Sequence, residues 1–552
     1  MYEFARHLVE TPVVVCIAGI MLLSPGCSSP SSQPNESSRS LAALSVVIEN
    51  ANTGQPAAVR VRLASRSSGA VEPLPEEAIG VMWGRHDRAE GFLYQPDSSF
   101  YIDGSFEAEL EPGEYILTFS KGNEYLAESH TFTLAAGDRL TKTYRLERWI
   151  DMPARGWYSA DDHIHIRRSP REDPHIRDWI AAEDIHVGVL LWMGDFWTTY
   201  YQQYDFGAEG IYQEGDHLLT SGQEEPRTPE LGHTIGIGAS EPVRFADSYY
   251  LYDKVFDAVH AHGGMTGYAH QGVTFHGYRG VTLDGLRGKL DVIELMQFCA
   301  EEGPLVTDNY YRLLDLGYQI TATAGSDFPW CGKGHRYGVN GAPENPSQIG
   351  DVRFYTYVGD TLSYRSWKSG LDAGHTFVSS GPTIEFRVNG QLPGNTVDVA
   401  PGESVTITTE AFGHPEQVPL TSLEIIGHGE TLHSVSPDTT RGSTSHLSVE
   451  MDLPIERGIW LAAKVNADRL QVAHTTPVYV RVNGGSFHNP DTAGDYLQES
   501  GKYLDDLEQV INHPSDEIDH HAWRYRNGLE TRIAQTREVI DSLRSAFVVE
   551  GN

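Results

Sequence analysis

Between residues 150 and 350, short apolar runs alternate with helix-patterned stretches, and this alternation restricts the fold more than any other feature. The runs are HVGVLLW, HTIGIGA, TGYAH, VIELM and ITATAGSD, and helical patterns cover 249–262 and 305–316. Such an order predicts an α/β domain built on a mainly parallel sheet. Most of the suggestive histidines and acids of the chain fall here, often at the end of a run. In barrel folds, strand ends form the catalytic edge.

The flanks read differently. Residues 41–149 carry AVRVRL, FEAEL, YILTF and TFTL, separated by turn signals at NTG, EPGE and AAGD. Alternating apolar positions over about seven short strands predict a β-sandwich, and PGEYILTF is similar to part of a carboxypeptidase-regulatory module. Residues 351–483 return to strands (VRFYTYV, TIEFRV, SVTITTEAF, IWLAAKV) and predict a second sandwich. In 484–552, Leu529, Ile533, Thr536, Ile540, Leu543 and Phe547 recur in alternating steps of four and three. With the break at His513-Pro514, this predicts a C-terminal helical hairpin.

At the N-terminus, Arg6 and His7 precede the apolar run Val13 to Leu23, then LLSPGCSSPSSQ. The run is too short to span a bilayer but suits the core of a signal peptide over 1–26. The segment around Cys27 resembles the lipobox of bacterial lipoproteins, which implies lipidation at Cys27 and a flexible tether over 27–40. Plain secretion and a retained anchor are the alternatives. The expected location is therefore the cell envelope, the periplasm or the medium. Cys299 and Cys331 fit either a disulfide or two buried thiols. The chain has 41 Lys+Arg against 76 Asp+Glu, a net charge of −35. That argues against nucleic acid as a partner, which needs a cationic face, and leaves membrane contact to the lipid anchor. The expected partner is a small-molecule substrate; oligomeric state stays open.

The strongest local signal is DDHIHI at 161–166. On a strand, i and i+2 share a face, so His163 and His165 can meet one metal. Alone, an HxH is also compatible with ordinary surface histidines. It gains weight from Glu224 in SGQEEP, His233 in LGHTIGIG, His270 closing TGYAH and Asp327 closing ITATAGSD.

Together these motifs, from GWYSADDHIHI to ATAGSDFP and the later Trp367 and HTFVSSGP, resemble the PHP metallohydrolases, and in particular the CehA/McbA family, named for a carbaryl hydrolase. The resemblance runs from about Gly156 to about Gly381. It implies a distorted (β/α)7 barrel over 150–350 and a binuclear centre. His163, His165 and Asp327 would hold one divalent metal and His233 and His270 a second, with Glu224 bridging. Adjacent strand residues point to opposite faces, so only one of Glu224 and Glu225 can reach the metals, and motif register selects Glu224. Phe328-Pro329 lacks the ligand a third metal would use, so two are expected. The N/O donor set suits Zn²⁺ first, Mn²⁺ or Fe²⁺ otherwise. Asp327 is the candidate proton shuttle.

Asp161 is expected to orient a ligand imidazole through its ring N–H. Glu294, His186, His335 and Arg336 are candidates for contact with substrate or ligands, each with a structural alternative; His260 and His262 read as solvated or capping. The implied activity is hydrolysis of a carbamate, ester or amide. A phosphoesterase is the alternative, with Arg167 and Arg168 as a candidate anion clamp. A non-catalytic, lipid-tethered binding protein is the second alternative. No G-x-S-x-G occurs, so a serine-hydrolase mechanism has no support.

Overall fold

The computed structural model describes residues 40–69, 72, 74–82, 92–93, 99–297, 305–329, 347–437, 445–515 and 520–550. Cys27, Cys299, Cys331, His335 and Arg336 lie outside these residues. Among the described residues no helix is long and apolar enough to cross a membrane.

Residues 41–149 form two facing sheets. One holds Ser105–Leu110, Ala42–Asn50 and Arg139–Leu146; the other holds Phe100–Asp103, Ala58–Ser65, Gly113–Ser120 and Glu128–Leu134. Val46, Ile48, Val59, Val61, Ile102, Phe106 and Leu117 fill the space between them. Alternate residues of Ala42–Asn50 are buried, as a half-buried strand requires.

The expected (β/α)7 barrel does not form. The chain is mostly β, and its central feature is one large curled sheet, a half-barrel with few helices. Trp157–Ile164, Val187–Gly194 and His217–Glu224 run parallel in that order, as do Met265–Tyr268, Val292–Gln297 and Thr321–Gly325. Gly232–Ile237 lies between the two sets and is antiparallel to both neighbours. The cause is linker length. Only residues 225–231 separate His217–Glu224 from Gly232–Ile237. A parallel crossover needs a dozen residues or more, so this link can only reverse the chain. The link from Val187–Gly194 to His217–Glu224 is filled by two short strands and a 3-10 turn instead of an α-helix.

The sheet also continues past the expected boundary at 350. Arg353–Tyr357 pairs antiparallel with Trp157–Ile164, then with Thr376–Ser379, which pairs with Val472–Thr475. The run VRFYTYV therefore belongs to the same sheet as the HxH strand. Thr383–Val388, Glu403–Phe412 and His446–Ile455 form a separate three-stranded sheet beyond it.

The helices Ala493–Asn512 and Arg526–Glu550 form the C-terminal hairpin. Leu497, Leu504, Leu507, Leu529, Ile533 and Ile540 are buried in the core shared with the curled sheet. Arg312 reaches Ser500 Oγ at 3.0 Å, and Arg279 reaches Asp506 Oδ2 at 2.7 Å.

Candidate metal centre

His163 is the next-to-last residue of the strand Trp157–Ile164, and His165 follows the strand. The main chain there is tied to the segment after Thr321–Gly325: His165 N donates to Phe328 O at 2.7 Å, and Phe328 N to His163 O at 3.2 Å. This clasp carries Asp327 to the two imidazoles. It needs Gly325, because a Cβ there would stand 2.3 Å from His163 Cβ.

Glu224 ends its strand and faces both histidine pairs. Its Oε2 lies 3.5 Å from His165 Nε2 and 3.9 Å from His163 Nε2. Its Oε1 lies 2.6 Å from His233 Nδ1 and 3.4 Å from His270 Nε2. Asp327 Oδ1 is 3.0 Å from His165 Nε2 and 3.4 Å from His163 Nε2. The Nε2 atoms of His163 and His165 are 3.1 Å apart, and His233 Nδ1 is 3.2 Å from His270 Nε2. Three ligand groups result: His163, His165 and Glu224; His163, His270 and Asp327; Glu224, His233 and His270. All six residues are buried.

Imidazole nitrogens and carboxylate oxygens converging this closely, in a buried site, suit divalent cations. His233 is pushed down to about 3 by burial and by the nearby Arg227. Burial also lowers His165. Burial opposes charge on Glu224, yet Arg227 and then His233 hold it well below the usual carboxylate range. Asp327 is likewise lowered against burial, chiefly by His163.

A second layer fixes the rings. His163 Nδ1 meets Glu294 Oε1 at 2.6 Å, and the other oxygen of Glu294 accepts His270 N at 2.8 Å. His270 Nδ1 meets Gln297 Oε1 at 2.6 Å. Glu294 thus ties the ring of one ligand, on the strand Trp157–Ile164, to the backbone of another, in the turn after Met265–Tyr268. We expect Glu294→Gln to weaken metal affinity about 10- to 100-fold, the usual cost of losing such a partner. Metal competition with a chromophoric chelator measures it; unchanged affinity would remove Glu294 from this role.

Asp161 departs from its expected role, while His186, Glu225 and His260 stand outside the donor cluster, as their structural alternatives allowed. Asp161 does not touch a ligand ring; its carboxylate accepts the backbone N–H groups of His163, Ser326 and Gly350. His186 sits at the opposite strand ends, buried, bonded to Ser159 Oγ at 2.8 Å and pushed down to about 3 by burial. Glu225 turns away from the histidines and pairs with Arg244 at 2.7 Å. His260 bonds Asp291, away from the site. Arg168 cannot clamp an anion here: its guanidinium is bonded to Asp173, Gly210 O and Ser221.

Three residues escaped the sequence reading. Gln297 lies three positions beyond Glu294 in VIELMQ, a signal that strand alternation alone discounts. Phe275 stacks on His233 with ring centroids 4.2 Å apart while half exposed to solvent. Arg227 occupies the reversing link and pairs directly across from His233. No family model matches the chain, and no curated protein does. Among solved structures it is similar to BcpA, the major pilin subunit of Bacillus cereus, and to a variant of it. Identity is 7% in both cases, with 80% and 81% of this chain and 69% and 70% of theirs covered, at TM-scores of 0.23 and 0.25. A likeness so slight carries no argument.

Proposed function

We propose that this protein is a metal-dependent hydrolase, the activity implied by its resemblance to the CehA/McbA family, acting on a carbamate, ester or amide bond. One observation carries the reading: Glu224 presents one oxygen to His163 and His165 and the other to His233 and His270. A carboxylate so placed is suited to bridging two cations. Backbone strain supports it. His270 and Asp327 both hold left-handed backbone, at φ 57° and 51°, and such strain gathers at functional sites.

Bound there, divalent metals would supply Lewis acidity and lower the pKa of water toward neutrality. The chain's own residues supply the rest. His163, His165, His233 and His270 turn ring nitrogens toward Glu224 or Asp327. Glu294 and Gln297 fix two of those rings. Asp327, beside His163 and His165, is the carboxylate placed to take a proton from an attacking water and pass it to the leaving group.

The test is elemental analysis of protein purified without added metal, followed by chelation and assay against carbamates, aryl esters, amides and phosphoesters. We expect about two metals per chain, activity lost on chelation, and recovery with Zn²⁺ or Mn²⁺. Full activity in metal-free protein would overturn the mechanism, and three tightly held metals would overturn the two-metal count. Lipidation at Cys27 is a separate proposal, decided by mass spectrometry of the native N-terminus.

A further inference from the structure

Arg227 is the one strongly basic side chain set against the six donor residues among the described residues. It stands opposite His233 on the neighbouring strand, and cross-strand partners share a face. Its Nε lies 3.5 Å from Glu224 Oε1, the same oxygen that faces His233 and His270.

What distinguishes it is the poverty of its hydrogen bonding. Nη1 donates to Met193 Sδ at 3.2 Å, a weak acceptor, and Nε has no hydrogen-bond partner. Three other buried or part-buried arginines in this part of the chain have oxygen acceptors. Arg168 has Asp173 at 2.8 Å, Arg244 has Glu225 at 2.7 Å, and Arg353 donates to three backbone carbonyls. A guanidinium drawn out of water without close acceptors is costly unless something else supplies them. Its side chain keeps 23% of its surface open, so a ligand entering the site can reach it. Glu224 does not fill that need: it already receives His233 at 2.6 Å and faces two further imidazoles.

We infer that Arg227 is a specificity-determining residue that binds an anionic oxygen group, carboxylate or phosphate, on the substrate. The inference rests on reading the site as a hydrolytic centre. A planar fork matches either oxyanion with two parallel N–H···O bonds. The substrate class is then an acid-bearing ester, amide or carbamate, or a phosphoester, in preference to a neutral one. Half-exposed Phe275, stacked on His233, offers an apolar surface beside the same ligands.

Two measurements test this, both on metal-loaded full-length protein whose metal content is matched between variants. Calorimetry with inorganic phosphate and with acetate compares wild type, Arg227→Gln and Arg227→Lys. We expect Arg227→Gln to weaken binding of at least one anion about 10- to 100-fold, as losing charge-assisted hydrogen bonds implies, with Arg227→Lys intermediate. The anion that loses more identifies the group. Turnover of a carboxylate-bearing nitrophenyl ester, its methyl-capped neutral analogue and nitrophenyl phosphate then gives specificity ratios. The anionic-to-neutral ratio of kcat/KM should fall by a similar factor in Arg227→Gln. Equal anion affinity in wild type and both variants overturns the assignment, as does an unchanged ratio. If Arg227→Gln does not fold, Arg227→Lys decides alone, because it keeps charge and loses the fork. Anion binding that depends on Arg227 without turnover of any substrate would sink the hydrolase reading and leave the anion site standing.

Discussion

Replacing His270 with alanine is expected to lower kcat by about 10³-fold or more while the protein stays folded. The size follows from losing several kcal/mol of metal-dependent stabilisation at about 1.4 kcal/mol per decade. His270 belongs to two of the three ligand groups, and its Nε2 faces both His233 and Glu224. Its ring is held by Gln297 and its backbone by Glu294. None of these contacts builds the core, which is formed by residues such as Val292, Ile293, Leu295 and Ala322 on the same strands. Circular dichroism and a cooperative unfolding transition should therefore match wild type, and metal content should fall. His163→Ala should behave alike, since His163 also serves two ligand groups. A His270→Ala protein with wild-type turnover and metal content would show that the ligand assignment is wrong.

The parts of this arrangement that were legible in advance depend on the two-residue period of strands. It put His163 and His165 on one face and allowed only one of Glu224 and Glu225 to turn inward; the structure turns Glu224 inward and pairs Glu225 with Arg244. The same period marks Thr383–Val388 and Ala42–Asn50, whose buried positions alternate. Strand direction and partnership are not written in that period. Link 225–231 reverses the chain, and its effect is to set Arg227 across from His233. An arginine in a Pro-flanked turn carries no local sign that it will stand beside a ligand from the next strand. Arg353–Tyr357 read as the first strand of a new sandwich because its pattern is the same in any sheet, yet its pairing with Trp157–Ile164 makes it part of the sheet that bears the site. The alternation of strand and helix patterns placed the helices Tyr252–Ala261 and Asp308–Asp315 but not the barrel, because it reports local periodicity, whereas a barrel requires every link to be long enough for a crossover.

Asp161 shows how a motif residue can be placed correctly in sequence and have a different role. We expect Asp161→Ala to cost about 3–9 kcal/mol of stability, through three buried backbone donors left without acceptors at about 1–3 kcal/mol each. His163 N and Ser326 N both reach Oδ1 at 3.0 Å, and Gly350 N reaches Oδ2 at 2.8 Å. One fully buried carboxylate thus joins the HxH strand, the turn carrying Asp327 and the segment leading into Arg353–Tyr357. Asp161→Asn keeps the shape but turns an amide N–H₂ toward one set of donors, so it should lose roughly half as much. Urea unfolding measures both: the midpoint should drop with little change in slope. Metal affinity should fall with it, because the backbone that aims His163 and Asp327 is released. If Asp161→Ala unfolds within about 1 kcal/mol of wild type but loses metal, the residue acts on the ligands directly and the bracing role is wrong.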